Sequence, residues 1–308
     1  MKHMRKRRAS RRRAAAVLMV AASFASVFAA APSGNADSPR VIWDDGVGVT
    51  VPPPGTGVTA SAMTATGEED LTVLTGEDGT VRVIRDPEVS HSEQASQASG
   101  AVRGANPCPN CPKACRDGAY ALLSYKVSST FQWFYNRESS PSSVSADNAQ
   151  SEIVQAFNNL ANQKNNCSLS DQVSATHKFM GDTTATTNIT PNFQCQQNDG
   201  QSTVAFDNLN GPAVTCAWYS TSSGRPVTNA DVRIDEDMSW TIWPGLIICN
   251  RQWDVQGMVT HEAGHVFGLS HVSPSHGNLT MSTYGLPDCS KAYRTWGKGD
   301  VRGLRALY

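Results

Sequence analysis

The sequence predicts an α+β (α/β-like) domain behind an export leader. Three observations carry that expectation. Residues Tyr125 to Tyr135 and the stretch 173–248 are rich in short runs of β-formers separated by Asn and Gly turns. Residues 146–163 place Ile153, Val154, Phe157, Leu160 and Ala161 at helical spacing. A second helical stripe, Val255, Met258, Val259, Val266 and Phe267, follows Asp254, a good N-cap. With 39% hydrophobic and 17% charged residues among 308, the chain can build a packed core. Its 24 glycines and 16 prolines show no three-residue period, which excludes a collagen-like scaffold.

Taken in order, residues 1–36 read as a signal peptide. Eight Lys/Arg and no acid precede an apolar run from Ala14 to Ala31, and small residues offer cleavage points from Ala29 to Ala36. The run is short and Ala-rich for a permanent span, so no stable membrane association is expected after cleavage. The remaining chain holds 18 basic residues against 27 acidic ones, a net charge of −9. That balance disfavours nonspecific nucleic-acid binding. Residues 37–107, rich in Gly, Pro, Ser, Thr and acids, read as a propeptide or linker, with Pro52-Pro53-Pro54-Gly55 and His91 to Gly100 as its most linker-like parts. Leu71-Thr72-Val73-Leu74 and Val81-Arg82-Val83-Ile84 flank Gly76-Glu77-Asp78-Gly79, the signature of a small hairpin. A globular domain is expected over 108–308. Short strands are expected around Phe179, Val204, Ala217 and Val232. Eight cysteines, an even count, suit disulfides in an exported protein.

Residues 261–271 carry the chemistry. His261 and His265 stand four apart, one above the other on one helical face, and together can hold one metal ion. Glu262 is placed to reach a water on that metal rather than the metal itself. Gly268 tolerates the left-handed turn that ends a helix, after which His271 can return as a third ligand. Three nitrogens and one open position are the geometry of catalytic zinc. The His-Glu-x-x-His core alone arises by chance in roughly a few per cent of chains this long, and adding Gly268 and His271 lowers that by roughly 400-fold.

The pattern His261-Glu262-x-x-His265-x-x-Gly268-x-x-His271 resembles the metzincin zinc-peptidase signature. Leu279-Thr280-Met281-Ser282 offers Met281 for the methionine turn of that group. Within it the chain is similar to bacterial secreted matrixins, from the strand near Trp133 to the terminal Gly299–Tyr308. The resemblance implies the metzincin zincin fold: a twisted, mostly parallel sheet with two helices, the zinc helix, the Met-turn and a C-terminal helix. It implies one catalytic Zn²⁺ on His261, His265 and His271, with Glu262 as general base and then acid. It implies secreted, extracellular action on protein or peptide substrates lying extended beside an edge strand, and a monomer is expected. Residues after His271, including Leu279 and Tyr284, are expected to shape the pocket. Tyr284 lies three residues past Met281 rather than two, so it reads as a wall residue rather than a metal contact.

The chain departs from the family in two ways. It has no Pro-Arg-Cys-Gly type switch, for which Cys108-x-x-Cys111-x-x-x-Cys115 offers a substitute; disulfides are the simpler reading of these cysteines, since a zinc knot there lacks a fourth ligand. It also lacks the His/Asp-rich loop for a second zinc, His177 standing alone; Ca²⁺ has no dedicated loop motif. A Cys249–Cys289 bridge would tie the two flanks of the zinc helix and Met-turn together. The alternative function is a secreted binding or adhesion module with a vestigial zinc site, against which an intact Glu262 argues.

Overall fold

A computed structural model describes residues 39–64, 67–85, 112–242, 251–282 and 290–308. The leader, the 91–100 segment, Cys108, Cys111, Cys249, Tyr284 and Cys289 lie outside these residues, as does the proposed Cys249–Cys289 bridge.

Five strands come first: β1 (Val41–Asp44), β2 (Val47–Thr50), β3 (Thr56–Met63), β4 (Glu68–Thr75) and β5 (Val81–Arg85). The predicted hairpin is the β4–β5 pair, here one part of a meander with β3. After β6 (Ala121–Leu122) and β7 (Phe131–Asn136) comes helix α1 (Ala146–Ala161). Then follow β8 (His177–Thr183), β9 (Gln194–Cys195), β10 (Thr203–Asp207), β11 (Ala213–Ser220) and β12 (Val227–Asp235). Two short strands, β13 (Trp240–Thr241) and β14 (Trp253–Asp254), lead into α2 (Val255–Val266), and β15 (Leu269–Ser270) and α3 (Lys298–Leu307) complete the chain.

The main sheet has the order β5-β4-β3-β11-β12-β10-β7-β8. Its β12, β10, β7 and β8 run parallel, and every pairing from β12 outward to β5 is antiparallel. The sheet is therefore mixed rather than mostly parallel. The reason is the stretch read as propeptide or linker: β3, β4 and β5 are joined by short turns and add an antiparallel half. β3 pairs with β11 from Thr56–Ser220 to Ala62–Val214, so this edge of β11 is already bonded.

Alternation along β11 builds two cores, one on each face. Ala213, Ala217 and Tyr219 face the helices, while Val214, Cys216 and Trp218 face away. A strand covered on both faces reads as a near-continuous apolar run, as Ala213–Tyr219 does apart from Thr215. On the helical side, Trp133 stacks on Phe157 of α1 at 4.4 Å, and Phe131 meets Phe267 edge-on at 5.8 Å. The other core joins Val49, Val58, Ala60 and Val73 to Ile189, Phe193 and Trp218. Disulfide Cys115–Cys167 ties two connecting segments, and Cys195–Cys216 joins β9 to β11. The first removes Cys115 from any zinc knot or switch.

Both long helices carry side-chain caps, and the one at Asp254 was expected from sequence. Ser145 Oγ accepts from Asn148 N, and Asp254 Oδ1 accepts from Gly257 N at 2.7 Å. Arg294 bonds Asp254 and Glu152 together, tying the start of α2 to the flank of α1. Among the described residues no helix is long and apolar enough to cross a membrane.

Candidate metal centre

Helix α2 delivers His261 and His265 to one side, and Gly268 turns the chain. Its φ is +93°, its N–H bonds His265 O at 2.9 Å, and a Cβ there would collide with Tyr125 O. Tyr125 secures the same turn by donating from its hydroxyl to His265 O at 2.7 Å. β15 then carries the chain back so that His271 faces the helix.

The three Nε2 atoms converge. His261 Nε2 lies 3.2 Å from His271 Nε2 and 3.0 Å from His265 Nε2. Each Nδ1 faces away toward an acceptor: Thr280 O at 2.7 Å for His261, Leu269 O at 2.9 Å for His265, and Asp70 Oδ2 at 3.5 Å for His271. A carbonyl can only accept, so the Nδ1 of His261 and of His265 carries the proton and Nε2 presents its lone pair inward. Burial, and then His271 and His261 beside it, push the pKa of His265 well down and keep it neutral. Among the described residues these three are the one group of His, Cys, Asp or Glu gathered closely enough to hold a metal ion. Three inward-facing imidazoles suit zinc, so the residues present fit the ion that the sequence implies.

Glu262 is 1% exposed, and its Oε2 accepts from Thr215 Oγ1 of β11 at 2.6 Å. Asp70 of β4 accepts from Ser270 Oγ at 2.6 Å. Burial works against its charge, but the neighbouring His271 and then the Ser270 hydroxyl prevail and hold its carboxyl well below the usual range.

Met281 is buried against α2 at Gly264, one of the three helical residues between the two ligands; a Cβ there would clash with Met281 Sδ. The turn carrying Met281 is clamped by Asp300, which accepts from the backbone N–H of Thr280, Met281 and Gly297. Burial raises the Asp300 pKa to about 6 against the pull of those three donors. Leu279 is fully buried with Ala121 and Val272. His177 accepts from Trp133 Nε1 and faces Asn158 Oδ1, both at 3.2 Å, and belongs to the core around Phe157.

Sequence reasoning missed Thr215, Asp70, Tyr125 and Asp300. Only Asp300 left a local signal, as the acid three residues after Gly297 at the start of α3. The others reach the site from strands and loops remote in sequence.

The matrixin family profile matches residues 127–308, more than half of the chain. No curated protein matches it.

Proposed function

The chain belongs to the matrixin family, a family of zinc metallopeptidases, and from that premise we propose that it is an exported endopeptidase cleaving peptide bonds in extracellular protein. His261, His265 and His271 would hold the ion through their Nε2 atoms. Zinc, when bound, supplies a Lewis acid for the scissile carbonyl and lowers the pKa of a water toward ~7. Glu262 takes the proton from the attacking water and returns it to the leaving amine. Thr215 fixes the carboxylate for that task through its 2.6 Å bond. The Thr280 and Leu269 carbonyls hold two ligand rings in the inward-facing tautomer. Met281 gives the site an apolar floor, and no side chain forms a covalent link with substrate.

The observation that supports this most is the convergence of three imidazole Nε2 atoms beside a buried, hydrogen-bonded glutamate. A vestigial metal-binding module has no use for that carboxylate. Export fits the leader read from sequence and the two disulfides.

The test is hydrolysis of casein by the purified protein, with and without a zinc chelator, beside Glu262→Gln. Cleavage should vanish with chelator and in the variant, while the variant still binds one zinc. Undiminished cleavage by zinc-loaded Glu262→Gln would remove Glu262 from the mechanism.

A further inference from the structure

We propose that a cleft at the C-terminal end of α1 binds an acidic oligosaccharide. Binding there requires no turnover at the metal centre, so it is independent of the peptidase reading.

The cleft has a volume of about 380 Å³, within the ~300–1,000 Å³ of small-ligand sites. Gln155, Asn158, Asn159 and Asn162 line it at intervals of i, i+3, i+4 and i+7, so one face of α1 presents four amides in a row. The apolar stripe of Ile153, Phe157 and Leu160 faces the core instead. Asn is a poor helix former, yet Asn158 and Asn159 stand in the last turn of α1. The helix then closes with Gln163 N–H on Leu160 O at 2.9 Å and Lys164 N–H on Asn159 O at 2.8 Å. The left-handed position of that closure, which glycine fills most easily, holds Gln163 at φ +45°. Its side chain lines the cleft too. From Gln155 to Asn166, seven of twelve residues are Asn or Gln, a composition that helix stability alone selects against.

The cleft is preorganised. Asn159 is 2% exposed and Gln163 1%. Asn159 Nδ2 donates to Arg294 O at 2.7 Å, Gln163 Nε2 to Val301 O at 3.3 Å, and Trp296 Nε1 to Asn159 O at 3.0 Å. Asn165 uses both ends of its amide, accepting from the N–H of Cys167 and Leu169 and donating to Gln163 O and Leu169 O. Cys167 is in turn bridged to Cys115, so the loop that forms the other wall is fixed. Other groups stay available. Among the described residues, the Gln155 amide, Asn158 Nδ2, Asn162 Oδ1 and Lys164 Nζ make no hydrogen bond or ion pair. Glu152, near enough to feel the charge of Lys164, is paired with Arg294 at 3.2 Å.

These groups select the ligand. A side-chain amide sets a donor beside an acceptor, the match for neighbouring hydroxyls on a sugar ring. Among the described residues no carboxylate lines the cleft, so a metal cation lacks a charged ligand. The negative end of α1 disfavours a compact anion such as phosphate, which a helix N-terminus would attract. Leu169 is the one apolar residue among those described in the lining, too little to seat the side chains of a peptide. Exposed Lys164 supplies one positive charge, which answers a single carboxylate carried on a large polar molecule, as in a uronic acid.

The test follows side-chain amide resonances of the ¹⁵N-labelled full chain by NMR as trigalacturonate is added, with maltotriose, inorganic phosphate and a triglutamate peptide as comparisons. Trigalacturonate should shift the Gln155, Asn158 and Asn162 amides, with and without a zinc chelator. Maltotriose should bind at the same amides at least ~5-fold more weakly. Gln155→Ala and Asn162→Ala alter exposed side chains and leave the core intact. Each should weaken trigalacturonate about 5-fold, the value of one neutral hydrogen bond, and Lys164→Met should bring it down to the level of maltotriose. Four results would overturn the proposal: no movement of these amides, maltotriose binding as tightly as trigalacturonate, equal shifts from phosphate or triglutamate, or binding that survives all three substitutions. Shifts abolished by the chelator would assign the sugar to the metal centre and overturn it as well.

Discussion

Gly264→Ala sets two known effects against each other. Alanine in place of a helix-interior glycine stabilises by about 1 kcal/mol when nothing obstructs the methyl. Here the methyl meets Met281 Sδ well inside contact, Met281 Cε at 3.1 Å and Trp296 Cη2 at 3.3 Å. Carbon atoms pack best at about 3.5–4.0 Å. Met281 and Trp296 are each 1% exposed, so neither has open space to move into. Overpacking of this kind costs about 1–3 kcal/mol, which should outweigh the helical gain and leave a net loss of about 0–2 kcal/mol. The larger effect falls on the metal. Met281 adjoins Thr280, whose carbonyl holds His261 Nδ1, so displacing the turn loosens one ligand ring. Urea unfolding and zinc affinity by chelator competition would be measured for Gly264→Ala, Met281→Ala and the double variant. The double variant should recover more than the sum of the singles predicts, because the alanine methyl enters the space that Met281 vacates. A single Gly264→Ala variant that is ~1 kcal/mol more stable with unchanged zinc affinity would refute the packing of Met281 beneath the ligands.

Thr215→Val should lower kcat about 10–100-fold with one zinc still bound, since it removes a hydrogen bond to a charged, buried group worth about 1.5–3 kcal/mol; steady-state kinetics with metal analysis checks this. His177 has its pKa lowered by burial, and its Nδ1 accepts from Trp133, so protonation would set two donors face to face. Its contribution is present above the unfolded value near ~6.5 and is lost as pH falls below it. Denaturation curves from pH 8 to 5.5 should show this acid loss in the wild type and a shallower one in His177→Gln. Replacing both Cys195 and Cys216 by alanine opens a crosslink of sequence separation 21 and should cost about 3 kcal/mol in urea unfolding.

The helices and the ligand triad were legible because their signals are local. Asp254 caps a helix, the apolar residues of both helices recur at a spacing of 3.6, His261 and His265 share a face through a four-residue interval, and Gly268 marks the turn by its backbone freedom. Strand pairing is different. Ser61 and Thr215 are far apart along the chain, and nothing in either segment names the other as partner. The segment around Thr215 reads as β-formers, a pattern that leaves the neighbour unspecified, and the segment around Ser61 lies in the stretch read as propeptide or linker. Hence the antiparallel half of the sheet, the occupied edge of β11, and the contacts of Thr215 and Asp70 with the centre emerge only in three dimensions.

The three ligands differ in what orients them, and the difference has a measurable consequence. His261 and His265 rest on carbonyls of Thr280 and Leu269, inside the segment that matches the matrixin family. His271 faces Asp70, which belongs to β4 outside it. Partners of this kind typically change metal affinity 10–100-fold when altered. Asp70→Asn in the intact chain should therefore weaken zinc binding by about tenfold, read by chelator competition, and Leu279→Val, a small trim of the neighbouring apolar cluster, should not. If Asp70→Asn holds zinc as tightly as the wild type, the carboxylate does not orient His271, and its burial serves only to seat β4 on Ser270.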